Sequence, residues 1–143
     1  MLEIWYRQYQ YKDAPLRDVV RTEAGTRSAG AAPFTRRARE FKMIAAMLRM
    51  YCHAHHGSKD AVLCEECAEL HDYAYRRLER CVFGDVKPTC ANCTVHCYKA
   101  SMRERIRVVM RWAGPRMLWY HPVLAIRHMI DGRLPAPALH RSP

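Results

Sequence analysis

From residue 36 onward, apolar residues recur at intervals of three and four. Phe41, Ile44, Ala45, Leu48, Tyr51, Cys52 and His55 fall on one face, which predicts a helix over about 36–56. Thr35 suits its N-cap and Gly57 its stop, because a hydroxyl satisfies a free N–H and glycine enters the left-handed region without steric cost. Leu63, Cys67, Leu70, Ala74, Leu78 and Cys81 repeat the spacing and predict a second helix over about 61–80. Ser58 or Asp60 can cap it, and Glu65 and Glu66 complement its positive dipole end. The short joint at 56–60 implies an antiparallel hairpin. A third helix is expected over about 101–113, with Met102, Ile106, Val109, Met110 and Ala113 inward and Gly114-Pro115 breaking it. Pro122 can open a fourth and Gly132 close it. Residues 82–96, punctuated by Gly84 and Pro88, read as irregular, and neither strand pattern nor internal repeat is visible.

The expected fold is therefore mainly α: a small helical domain with a helix hairpin and an irregular Cys-rich loop, pinned by one or two metal centres. Its bounds are about 36–132. Residues 1–35 carry Trp5, Tyr6, Tyr9 and Tyr11, then drift into TEAGTRSAGAAPF at 22–34, and read as a poorly ordered arm and linker. Residues 133–143 read as a disordered tail. No apolar run approaches the roughly 20 residues that span a bilayer, and the first residues show no secretory pattern. The expectation is a soluble, cytoplasmic protein without a membrane partner.

All seven cysteines lie between positions 52 and 97. An odd count without an export signal argues against disulfides and for metal ligation by reduced thiols. The motifs are Cys64-x2-Cys67 and Cys90-x2-Cys93-x3-Cys97, flanked by Cys52, His55, His56 and Cys81. Zinc takes four such sulfur and nitrogen donors. In a continuous helix, Cys67 and Cys81 stand about 21 Å apart (14 residues at about 1.5 Å each), so one ion cannot hold both. The hairpin brings Cys52 beside Cys64 and Cys67, which gives a first site of Cys52, His56, Cys64 and Cys67. His56 is chosen over His55 for its place at the helix end. Cys81, Cys90, Cys93 and Cys97 then make a second site. The rival division joins Cys64, Cys67, Cys90 and Cys93 as one zinc-ribbon-like site and leaves Cys52, Cys81 and Cys97 as packed or free thiols. Mixed sulfur and imidazole suits zinc. An all-thiolate set suits zinc or a 4Fe–4S cluster equally.

Charge adds one further candidate. Lys plus Arg number 24 against 14 acids, a net charge of +10. Arg103, Arg107 and Arg111 recur every four residues and, with Arg116, could face phosphates. The blander reading is a solvated face, with Glu104 meeting Arg107. Tyr98, Trp112, Trp119 and Tyr120 could stack on bases, although core packing explains them more cheaply. No phosphate loop, dinucleotide fingerprint or H-E-x-x-H pattern is present, and Cys97 beside His96 suits a ligand better than a nucleophile. The protein is expected not to be an enzyme.

At these residues the chain resembles the nitrous oxide-stimulated promoter family of small bacterial proteins. The resemblance rests on MYCHAHH at 50–56, LCEEC at 63–67, YAYRRLERC at 73–81, KPTCANCTVHCY at 87–98 and RERIRVVMRWAGPRML at 103–118, and covers about 36–131. It implies a link to nitrosative stress, without a demonstrated chemistry. Nitric oxide attacks iron–sulfur clusters and zinc-bound thiolates, so a sensor or partner-binding role fits. An unidentified protein or nucleic acid is the expected partner.

Overall fold

In a computed structural model, which describes residues 35–59, 62–84, 88–93, 95 and 97–135, Thr35 begins the first helix as its chemistry suggests. Its hydroxyl accepts a hydrogen bond from the Ala38 N–H at 3.2 Å. Helix α1 then runs over Arg36–His56 until Gly57 turns left-handed at φ 63°. Helix α2 spans Glu65–Glu79, α3 spans Ala100–Tyr120 and α4 spans Pro122–Gly132. A 3-10 turn, Cys90–Asn92, lies in the segment between α2 and α3, and no strand occurs among the described residues. The arm at 1–34 and the tail from 136 onward lie outside the described residues.

Helix α1 is the central element. It packs against α2, α3 and α4, so its burial is not confined to one face. Met43, Met47 and Met50 are buried together with Ile44, Ala45, Leu48 and Cys52. The expected inward face was too narrow, because a helix with neighbours on several sides needs apolar residues nearly all round. His55, expected inward, is exposed.

Two boundaries differ from expectation. Helix α2 begins at Glu65 rather than near 61, because the Val62 N–H closes a turn on the Lys59 carbonyl at 3.1 Å and Cys64 stays extended in the N-cap position. Ser58 therefore does not cap it; Asp60 and Ala61 lie outside the described residues. Helix α3 runs straight through Gly114-Pro115. A proline inside a helix costs about 3 kcal/mol. Ending the helix there would expose Met117, which is 1% exposed and one turn beyond the fully buried Ala113. Burial of a methionine is worth about 1.5–3 kcal/mol, and α4, which follows directly, also depends on that turn. Continuation has a second consequence. Trp119 lies about 200° around the helix from Met117 and so points to solvent, 86% exposed. It is not a core residue.

Polar contacts fasten the helices together. Arg105 of α3 donates to the Glu69 carboxylate and to the Glu66 carbonyl of α2, both at 2.7 Å. Asn92 donates to the Gly132 carbonyl at 2.7 Å and joins the Cys-rich segment to the end of α4. Arg39 of α1 grips Asp131 of α4 through two hydrogen bonds of 3.0 and 2.9 Å. Arg36 stands 3.9 Å from the same carboxylate, and His128 stands 3.4 Å from buried Glu40. Paired, mostly buried charges of this kind contribute about 1.5–3 kcal/mol. Asp131→Ala is expected to lower the melting temperature by several degrees while leaving metal content unchanged; thermal unfolding followed by circular dichroism, with metal analysis of the same sample, checks this.

Candidate metal centre

The end of α1 and the start of α2 meet because Gly57 reverses the chain. At the other end, Arg37 near the start of α1 donates to the Glu79 carbonyl at the close of α2, at 3.5 Å. Cys52 lies in the last turns of α1, with His56 one turn further on. Cys64 is the N-cap of α2, and Cys67 follows at its third helical position. A Cys-x2-Cys pair at a helix N-terminus faces unpaired N–H groups and the positive dipole end, both of which favour thiolate.

The donor atoms of Cys52, His56, Cys64 and Cys67 all lie within 4.8 Å of one another. The His56 Nδ1 is 3.0 Å from the Cys64 sulfur and 3.4 Å from the Cys67 sulfur. A tetrahedral zinc ion, with bonds of about 2.0–2.3 Å, holds its donors about 3.5–3.8 Å apart. The four residues are thus within about 1 Å of an ion's requirements and could hold one. Cys52 is fully buried and Cys67 is 4% exposed, while Cys64 is half-buried and His56 exposed.

The protonation chemistry of the set also fits a cation. Burial raises the Cys52 thiol, but the Cys64 N–H, donating to its sulfur at 3.2 Å, outweighs this together with the side chains of Ser58, His56 and Cys64. The result is a fall from 9.0 to about 7. Cys67 moves the other way: burial pushes it well up, and Cys64 and Cys52 push it further. Three sulfurs in one small space cannot all ionise alone, and a dication reverses that penalty.

His55 turns away from the sulfurs. Its Nδ1 pairs with the Tyr51 carbonyl of its own helix at 3.1 Å, and its ring stacks on Tyr51 and meets Trp112 edge-on. Two supporting residues escaped the sequence reading. Ser58 assists Cys52, and the His53 Nδ1 lies 2.7 Å from the Ser58 carbonyl, bracing the turn at Gly57. Their only signal was position on either side of a helix-ending glycine.

The other cysteines are less tightly gathered. Among the described residues, only the first four reach ligand-like proximity. That group takes Cys64 and Cys67 without Cys90 and Cys93, unlike the ribbon division. Cys81 follows the end of α2, and its carbonyl accepts from Gly84, whose φ of 55° closes the turn. Cys90 opens the 3-10 turn and Cys93 follows it, and the Cys93 thiol donates to the Val95 carbonyl at 3.2 Å. Burial raises the Cys97 thiol, and nearby Cys93 and Cys81 raise it further. The Tyr98 hydroxyl is buried without a hydrogen-bond partner among the described residues. Its pKa is raised by that burial and then by Cys90 and Cys97. His96 lies outside the described residues.

The arginine stripe is partly spent within the fold. Arg107 stands 3.7 Å from Glu104, and Arg116 lies over the Trp112 ring and donates to the Trp112 carbonyl at 2.6 Å. Arg103 and Arg111 are exposed, with no side-chain hydrogen bond or ion pair among the described residues. No described helix is long and apolar enough to cross a membrane.

Comparison with known proteins agrees with the cysteine pattern. Over 75 residues the chain is 53% identical to the protein YgbA of Escherichia coli (strain K12). The match covers 52% of this chain and 64% of that relative, short of two thirds of its length. No solved structure matches the chain. The family model described as nitrous oxide-stimulated promoter matches residues 35–141, well over half of the chain. The four converging donors and the second cysteine set both fall inside that match, and the chain belongs to the nitrous oxide-stimulated promoter family.

Proposed function

We propose that this is a non-enzymatic metal–thiolate protein of the response to nitrogen oxides. Cys52, His56, Cys64 and Cys67 hold zinc, and the ion locks α1 and α2 as an antiparallel hairpin. The observation that carries this reading is the convergence of those four donors, three of them sulfur, at the joint between the two helices. The family description supplies the connection to nitrogen oxides.

Cys81, Cys90, Cys93 and Cys97 form a second, all-thiolate centre in this reading, holding zinc or a 4Fe–4S cluster. Its support is the nearness of Cys93 and Cys81 to Cys97, whose thiol they raise, and the Tyr98 hydroxyl beside Cys90 and Cys97, buried without a hydrogen-bond partner among the described residues. A buried hydroxyl without a partner is costly, and a metal-bound thiolate would accept its hydrogen bond. This shell is the one nitric oxide would attack, because it carries the greater thiolate density. Nucleic-acid binding by α3 would rest on Arg103 and Arg111 alone, with Arg107 and Arg116 engaged elsewhere.

Anaerobic purification followed by metal analysis and an absorption spectrum tests the reading. Cys64→Ser is expected to remove about one metal equivalent and leave the second centre loaded. Loss of all metal from that change, in protein that stays folded, would refute the division into two centres. A colourless protein containing only zinc, and unchanged by nitric oxide, would refute the sensing role.

A further inference from the structure

We infer that the His56 corner of the zinc site is an exchange position, at which a small thiol from solution can replace the imidazole while the three cysteines keep the ion. The inference rests on the reading of Cys52, His56, Cys64 and Cys67 as a zinc site.

The four ligands are held very differently. Cys52 and Cys67 are buried in the α1–α2 contact, and Cys64 is fixed by its N-cap backbone. The Cys52 sulfur also accepts the Cys64 N–H, so these two ligands support each other. Among the described residues, His56 has no comparable anchorage. It is the last residue of α1, it is exposed, and the next residue is the left-handed Gly57. A metal-bound histidine normally donates its second ring nitrogen to a carboxylate or carbonyl, which fixes the ring and strengthens the bond. His56 offers Nδ1 to the sulfurs, and its Nε2 has no partner among the described residues. Its ring touches Tyr51 edge-on with centroids 5.8 Å apart, a contact that does not hold a metal bond.

Chemistry selects a thiol as the newcomer. Zinc bound by three thiolates is a soft site. The incoming thiol releases its proton to solvent as it binds, and His56 leaves as a neutral ring free to take up a proton. Zinc stays divalent and no electron moves. The fourth thiolate adds a negative charge at an exposed edge, where solvent and a chain of net charge +10 moderate the cost.

Cobalt-substituted full-length protein tests the inference, because sulfur-to-cobalt absorption reports the number of bound thiolates. The probes are 2-mercaptoethanol and imidazole, and the comparison is between wild type and His56→Gly. The second cysteine set is the same in both and cancels in the difference spectrum. In the wild type, the sulfur-to-cobalt band is expected to grow saturably with added thiol, by about one third of the three-thiolate contribution. His56→Gly is expected to retain the same cobalt stoichiometry and to regain a tetrahedral spectrum with either probe. A wild-type spectrum indifferent to thiol would overturn the inference. So would a folded His56→Gly protein that loses one cobalt equivalent and is rescued by neither probe. Failure of the zinc-site reading looks different: Cys52→Ser and Cys67→Ser would then bind cobalt with the wild-type stoichiometry and spectrum.

Discussion

Cys67→Ser protein is expected to lose about one metal equivalent and to melt far below the wild type. Cys67 is 4% exposed, and its sulfur faces the His56 nitrogen and two other thiols. A serine hydroxyl does not ionise to replace the thiolate, and it leaves a buried polar group in a site built for sulfur. Only two sulfurs and an exposed histidine then remain. A metal that binds the folded form alone contributes about 4 kcal/mol at a thousandfold excess over Kd, and its loss removes that amount. Chelator should lower the melting temperature of both proteins, but that of the wild type by the larger amount, because the variant has only the second centre left to lose. Differential scanning calorimetry with and without chelator checks both statements, and an equal response in the two proteins would contradict the assignment.

The same centre has a pH signature. Its Cys52 thiol is lowered from 9.0 to about 7, so the thiolate is favoured in the folded state. For an acid with a lowered pKa, the stabilisation is complete above 9.0 and is lost as the pH falls through about 7. Metal and proton compete for the same sulfurs, and bound metal extends the loss to lower pH. Acidification therefore favours metal release.

Leu48→Ala should produce the other large effect, of a different kind. Leu48 is fully buried in α1, with α2, α3 and α4 packed around the helix. Truncation of a buried leucine costs about 2.7–5 kcal/mol, because the surroundings close the cavity only in part. For a domain of this size, that lowers the melting temperature by about 10 °C or more. Metal stoichiometry at low temperature should be unchanged, since no ligand is removed. A fall of only a degree or two would mean that the centre of the helix cluster is packed less tightly than its burial indicates.

Much of this was legible before any coordinates. The cap at Thr35, the stop at Gly57 and the proline start of α4 are local chemistry, and each occurs where local chemistry places it. The separation of Cys64 and Cys67 from Cys81 followed from helical rise alone. The grouping of Cys52 and one of the two adjacent histidines with Cys64 and Cys67 needed only the short joint and the spacing of the cysteines. Three other features were not legible. Gly114-Pro115 carries a strong break signal, and only the burial of Met117 against the rest of the fold overrides it. The first residue of α2 was obscured because the turn at 59–62 consumes residues with helical spacing. The burial around α1 could not be counted from its own sequence, since the number of neighbours is a property of the assembled helices.

Sequence alone determined the helical content and which residues are chemically able to bind metal, because capping, periodicity and ligand type act over a few residues. Tertiary structure decided which donors meet. His56 and His55 are adjacent and chemically identical, yet one faces three sulfurs while the other stacks on Tyr51 and meets Trp112. That choice depends on where α3 stands relative to the end of α1, and no local pattern encodes a contact made from more than 50 residues away.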